Sequence, residues 1–412
     1  MTWLIDDEFW DGFATRALFH STYGGADFGE CRVAVDRFAG ADPDHGGPDH
    51  GGPDEWFGAW NDLAEGLVAV GDTCAARGQA VSAREAYLRA TNYFRTAYAP
   101  LMGAPVDPRL RAAFDHECDA FTKAAPLFDT PVELVEIPYE GGVTLPGIFV
   151  RADGSGRATP TIVHTNGYDS NVHEMFVAQA IASVARGWNI LLFDGPGQGR
   201  TLVHDDLHIR PDWEHVVTPV IDWALGRPEV DPDRVVLAGW SFGGYLAPRA
   251  ACFEHRIAAL WADPGQWDQR TAVARLPLSD DDKAKFPDVD PHLLDDMENW
   301  LRGPDADPSL RWRLVQRGCW VHGVDTIYDL FRDMCRFELS PYAGDIECPT
   351  LLTMAEGDVI AAHARDLYDA IGSSTKELLQ FTAAEGAGGH CEGTARRLFH
   401  QRCYDWLDTT LR

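Results

Sequence analysis

Positive charge is scarce in this chain of 412 residues: 35 Lys and Arg face 64 Asp and Glu, a formal net charge of −29. Nucleic acid and anionic membrane surfaces repel such a chain, so neither is expected as a partner. Long apolar runs are missing too, since none approaches the roughly 18 residues of a membrane span. The opening stretch Met1 to Glu8 is acidic where a secretory leader would be basic. The nine cysteines are an odd number without Cys-x-x-Cys spacing, which points to free thiols in a reducing cytoplasm. None sits at a turn suited to a cysteine nucleophile. Nothing reads as the repeated blades of an oligopeptidase propeller. The segment Asp194-Gly-Pro-Gly-Gln-Gly-Arg200 lacks both the Gly-Lys-Ser/Thr ending of a phosphate loop and the Gly-x-Gly-x-x-Gly register. A tight structural turn is expected there, and no cofactor or metal is called for. A tandem repeat, Pro43-Asp-His-Gly-Gly then Pro48-Asp-His-Gly-Gly52, reads as a polar surface loop, although His45 and His50 are possible weak metal ligands.

What is present is a strand, a sharp serine turn and a helix. Arg234-Val-Val-Leu-Ala is apolar and β-branched, Gly239-Trp240-Ser241-Phe242-Gly243 follows, and Tyr245 to Ala251 reads as a helix start. This is the pattern of a nucleophile elbow, in which glycines flank a strained turn and the serine projects above a helix N-terminus. The pattern of five residues is short. Its weight comes from the strand before it and the helix after it.

Residues 1 to about 130 read as helical. Leu63, Leu67, Val70 and Cys74 recur at helical spacing, and Gly78 offers a stop. Ser82 and Glu85 form a candidate capping box, followed by the apolar face Ala83, Tyr87, Ala90, Phe94 and Tyr98. Residues 131–412 then alternate strands and helices. Strands are expected at Val132–Ile137, Thr144–Val150, Pro160–His164, Trp188–Phe193, the elbow strand, Ile257–Ala262, Thr350–Met354 and Glu377–Phe381, with a helix over His173–Arg186. This rhythm implies an α/β class with a mostly parallel, doubly wound sheet. Residues 266–345, with Trp267, Trp300, Trp312 and Trp320, interrupt it and read as a helical cap inserted after the sixth strand, over the end of the sheet where ligands bind.

A serine hydroxyl needs a base, and the base needs a carboxylate to hold it. Chain order places the acid after a late strand and the histidine after the last one. Asp358 and His390 fit those places, with Glu356 and Asp263 as rival acids. His164 and His173 precede the elbow and fit less well. An oxyanion hole requires two amides: Phe242 after the nucleophile, and one from the His164-Thr-Asn-Gly167-Tyr168 loop, where Gly167 permits close approach and Tyr168 supplies the amide. Asp169 and Glu174 either orient a polar substrate or cap the next helix. Trp240 is a further candidate for substrate contact.

Together these motifs make the chain similar to one group of α/β-hydrolases: 2,6-dihydroxypseudooxynicotine hydrolase, the fungal polyketide-shortening hydrolases and the fermentation-respiration switch proteins. The resemblance is strongest over about residues 80–250 and weakest in the cap and the Pro43 to Gly52 loop. It implies an α/β-hydrolase fold with an N-terminal helical domain (1–130) forming part of the lid, an active site between that domain and the core, a Ser241–Asp358–His390 triad, and a homodimer. It also implies cleavage of an ester, or of a carbon–carbon bond in an aryl ketone or β-diketone, with Glu174 the nearest match to an assisting acid. A small carbonyl substrate, aromatic or polyketide-like and typical of secondary metabolism, is expected. Acyl transfer or cyclisation on the same triad, and a non-catalytic regulatory binding protein with this fold, are the alternatives.

Overall fold

A computed structural model describes residues 2–40 and 51–411. The tandem repeat with His45 and His50 lies outside the described residues, apart from Gly51 and Gly52 at its end. The chain forms two compact units: the described part of Met1–Glu133 with His173–Ala182, and Leu134–Val172 with Ser183–Arg412.

The first unit is helical. Its main helices are Glu8–Phe19, Phe28–Ala39, Pro53–Ala76, Ala80–Tyr98 and Pro108–Ala124. Short acidic side chains start three of them: Asp7, Asp27 and Asp107 each accept from a first-turn amide that would otherwise lack a partner. An aromatic core of Trp10, Phe38, Trp56, Trp60 and Tyr93 joins the helices, with ring centroids 4.9–5.6 Å apart. Two local expectations change. The helix after the hairpin turn begins at Ala80 with Gln79 at its cap, so Ser82 lies inside the helix and caps nothing. In the preceding helix the buried stripe is Trp56, Ala59, Trp60, Ala64, Leu67 and Gly71, and Val70 is 50% exposed. The two tryptophans anchor that face, and the 3.6-residue period then turns Val70 outward.

The second unit holds an eight-stranded sheet: β1 (Val132–Pro138), β2 (Thr144–Val150), β3 (Thr159–Thr165), β4 (Asn189–Phe193), β5 (Val230–Trp240), β6 (Ala259–Asp263), β7 (Thr350–Ala355) and β8 (Lys376–Phe381). Their order is β1-β2-β4-β3-β5-β6-β7-β8. β2 pairs with β4 antiparallel, and every pairing from β4 through β8 is parallel. The central strands are apolar almost throughout, as strands covered on both faces must be. After β3 the chain moves to β4 on one side, and β5 then forms on the other. That reversal opens a crevice at the carboxyl ends of β3 and β5.

The expected helix over 173–186 is a run over 172–184 whose middle, Phe176–Ala180, is a π turn. Between β6 and β7 the chain forms short helices, among them Asp295–Arg302, Arg311–Gly318 and Ile327–Met334. These enclose a small core of their own that includes Phe286, Leu301, Ile327, Leu330 and Phe331.

Candidate active site

Ser241 follows the last residue of β5 and holds φ +57°, a left-handed backbone that few side chains adopt. The turn closes because its amide donates to the Asp263 carbonyl at 2.6 Å. Gly239 is obligatory: a Cβ there would be driven into the Gly243 carbonyl and would lie 2.8 Å from the Ala247 Cβ. The helix Gly243–Ala251 then starts directly beneath the serine.

Ser241 Oγ lies 2.8 Å from His390 Nε2, and His390 Nδ1 lies 2.9 Å from Asp358 Oδ2. Asp358 follows β7, and its side chain is 2% exposed. His390 sits in the loop after β8, where the Gly389 amide donates to the Glu356 carbonyl at 2.9 Å. The next two residues, Cys391 and Glu392, both have positive φ, so the loop turns sharply just past the imidazole. Cys391 Sγ lies 3.4 Å from His390 Nε2, but burial pushes its thiol well above the usual range, so it remains protonated.

Beside the serine runs the loop after β3. The Gly167 Cα faces Ser241 so closely that a Cβ would stand 2.7 Å from the Ser241 Cβ. Its own amide is bound to Ser170 Oγ at 2.8 Å. The amides of Tyr168 and Phe242 have no hydrogen-bond partner among the described residues. The turn after β4 supports this loop. Asp194 Oδ1 accepts from Asn166 Nδ2 at 2.6 Å, and Gln198 Nε2 donates to the Asn166 and Gly167 carbonyls at 2.8 and 3.0 Å. Asp194 to Arg200 is thus a buttress for the loop facing the serine.

Residues 162–396 match the alpha/beta hydrolase family, and "Hydrolase LUC6" of a Fusarium species is 34% identical over 96% of this chain and 94% of its own. The chain belongs to the alpha/beta hydrolase family. It is an enzyme with hydrolase activity. A second fungal relative, "20-hydroxy-prefusarin hydrolase FUS2" of Gibberella moniliformis, is 32% identical over 96% of this chain and 94% of its own. Among solved structures, 2,6-dihydroxy-pseudo-oxynicotine hydrolase superposes with a TM-score of 0.72 at 21% identity, covering 96% of this chain and 95% of the other. At that identity the likeness concerns the fold.

The remaining residues singled out in this hydrolase fall in different places. Asp169 pairs at 2.8 Å with Arg317, in the segment between β6 and β7, and Arg317 is stacked between the Tyr168 and Trp312 rings at 5.0 and 4.5 Å. Trp240 is buried, its ring covered by the Arg396 guanidinium at 4.3 Å. Glu174 belongs to the helical unit, where its fully buried carboxylate meets Arg16 at 2.6 Å, Arg95 at 3.0 Å and His20 at 3.1 Å. Burial opposes its charge, but Arg16 and Arg95 outweigh it and hold the carboxyl well below its ordinary value. His173 pairs with Glu117 at 3.1 Å in the same unit. His164 lies within β3, where burial lowers its pKa to about 3 and keeps it neutral. Of the rival acids, Glu356 accepts the Ala383 amide at 2.8 Å.

Asp263 plays a different part. Its Oδ1 accepts from Thr353 of β7 at 2.8 Å, and its carboxyl also interacts with the buried Glu392 carboxyl. Burial pushes both carboxyls upward, Glu392 further because it meets the charge of Asp263. Among the described residues no N–H or O–H reaches either Glu392 oxygen, so the two acids are joined only when one carries a proton and donates it. Nothing local in the sequence announces this pair, nor the role of Gln198. Each depends on a partner far along the chain.

Proposed function

We propose that this hydrolase cleaves a small carbonyl compound through a covalent acyl-enzyme on Ser241. His390 Nε2 takes the Ser241 proton as Oγ attacks the carbonyl carbon, while Asp358 holds the imidazole and stabilises its charge. The new alkoxide is received by the Phe242 and Tyr168 amides. The tetrahedral species collapses, the bond to the leaving group breaks, and His390 returns the proton to that group. Water, deprotonated by His390, then attacks the acyl carbon and releases a carboxylic acid. The leaving group of an ester departs as an alcohol. That of a ketone departs as a carbanion that takes the His390 proton, so carbon–carbon cleavage requires an aryl or β-diketone substrate that delocalises the charge.

The observation that carries this reading is the continuous relay from Ser241 through His390 to Asp358, at 2.8 and 2.9 Å, beside a serine held at φ +57°. The naming of one relative as a 20-hydroxy-prefusarin hydrolase supports a fungal-type secondary metabolite as the substrate class. The test is labelling with a fluorophosphonate probe and turnover of paired aryl-ester and aryl-diketone substrates. Ser241→Ala is expected to abolish labelling and turnover. Labelling that persists in this variant removes the nucleophile assignment, and turnover of the ester alone removes carbon–carbon cleavage.

A further inference from the structure

Two buried glutamines grip the two backbone carbonyls that matter most for the space beside Ser241. Gln198 Nε2 donates to the Gly167 carbonyl at 3.0 Å, and Gln266 Nε2 donates to the Ser241 carbonyl at 2.5 Å. Gln198 is 1% exposed and Gln266 3%, and the Ser241 carbonyl also accepts the Gly244 amide at 2.8 Å. In a trans peptide the C=O and the N–H of one unit point in opposite directions. The Gly167 carbonyl shares its peptide with the Tyr168 amide, and the Ser241 carbonyl shares its peptide with the Phe242 amide. Whatever fixes the first pair of atoms therefore aims the second.

Both glutamines are themselves held. Gln198 Oε1 accepts the Gly195 amide at 3.0 Å, and Gln266 donates its own amide to the Gly244 carbonyl at 3.2 Å. Gln198 belongs to the turn after β4, and Gln266 follows β6. The two grips thus come from the strands on either side of the central pair β3 and β5. We infer that Gln198 and Gln266 are a matched pair of positioning residues, each presenting one of the two amides that receive the alkoxide. This rests on the acyl-enzyme reading above. The two residues touch no reacting atom. They supply preorganisation, so that the amides need not turn when charge develops.

The test compares Gln198→Met and Gln266→Met, which keep volume and remove the donor, with Gln198→Glu and Gln266→Glu, which set a carboxylate against the carbonyl. Hydrolysis of p-nitrophenyl butyrate and binding of an aryl trifluoromethyl ketone, which adds Ser241 Oγ and forms a bound alkoxide, are both measured. Each Met variant is expected to lose about 10- to 100-fold in kcat with KM changed by less than about 3-fold, and each Glu variant more. Affinity for the trifluoromethyl ketone is expected to fall by the same factor as kcat. Equal affinity for that ketone in wild type and all four variants overturns the inference, as does a loss carried by KM alone. Ser241→Ala run in parallel separates the two levels: turnover that survives it defeats the acyl-enzyme reading, whatever the glutamines do.

Discussion

Replacing Glu174 by Gln sets the resemblance against the packing. The resemblance to carbon–carbon hydrolases makes Glu174 an acid that helps the reaction, whereas the fold surrounds it with Arg16, Arg95 and His20. Gln keeps the size and one acceptor but removes the charge. The consequence depends on how well each partner can return to water. The Arg16 side chain is 28% exposed and can rehydrate, while Arg95 is only 4% exposed and cannot. Removing one partner of a buried ion pair in this way costs about 3–5 kcal/mol. Urea unfolding followed by near-ultraviolet circular dichroism should report it, because Trp10, Trp56 and Trp60 lie in the same helical unit. The pH dependence has a definite sign. The Glu174 carboxyl is held below its ordinary value when folded, so its contribution is complete above the unfolded value of about 4.3 and is lost as pH falls through the folded one. The gap between wild type and Glu174→Gln should therefore close in acid. A variant within about 0.5 kcal/mol of wild type at pH 7, yet with turnover lost, would refute the structural account and favour contact with substrate.

Two further substitutions probe the site. Gly167→Ala puts a methyl group 2.7 Å from the Ser241 Cβ and 3.0 Å from the Trp240 carbonyl. It should lower kcat by about 100-fold or more while destabilising by only about 1–3 kcal/mol, read by steady-state kinetics and calorimetry. An active variant would mean the loop has freedom that the close approach denies. Glu392→Gln retains a donor toward Asp263 and removes a carboxyl whose folded pKa is raised. In the wild type the folded chain binds a proton that the unfolded chain releases above about pH 4.3, so stability falls as pH rises. Relative to wild type, the variant should therefore gain stability as pH rises from about 4.3 through the folded value. A variant that loses ground over that range would show that the pair does not hold the proton.

Much of this protein was legible in its residues because the governing constraints are local or follow chain order. Buried parallel strands need apolar runs, and β3, β4 and β6 show them. An elbow needs glycines where backbones touch, and Gly239 marks one. The family's Ser, acid, His order pointed to Ser241, Asp358 and His390, and the fold sets His390 within hydrogen-bonding distance of both Ser241 and Asp358. Helix starts and faces were less readable. Val70 fits a helical period, but the two tryptophans decide which face turns inward. Gln198 and Gln266 were not legible, because a glutamine gains meaning only when folding sets it against a carbonyl some 31 or 25 residues away. The Glu174–Arg16 ion pair and the Asp263–Glu392 pair span 158 and 129 positions, and no local pattern encodes such distances. Sequence alone thus determined the sheet and the serine turn, since each follows from short-range sterics and burial. Only the tertiary structure decided which buried polar groups face one another. Burial requires every such group to find a partner, and the partner can lie anywhere along the chain.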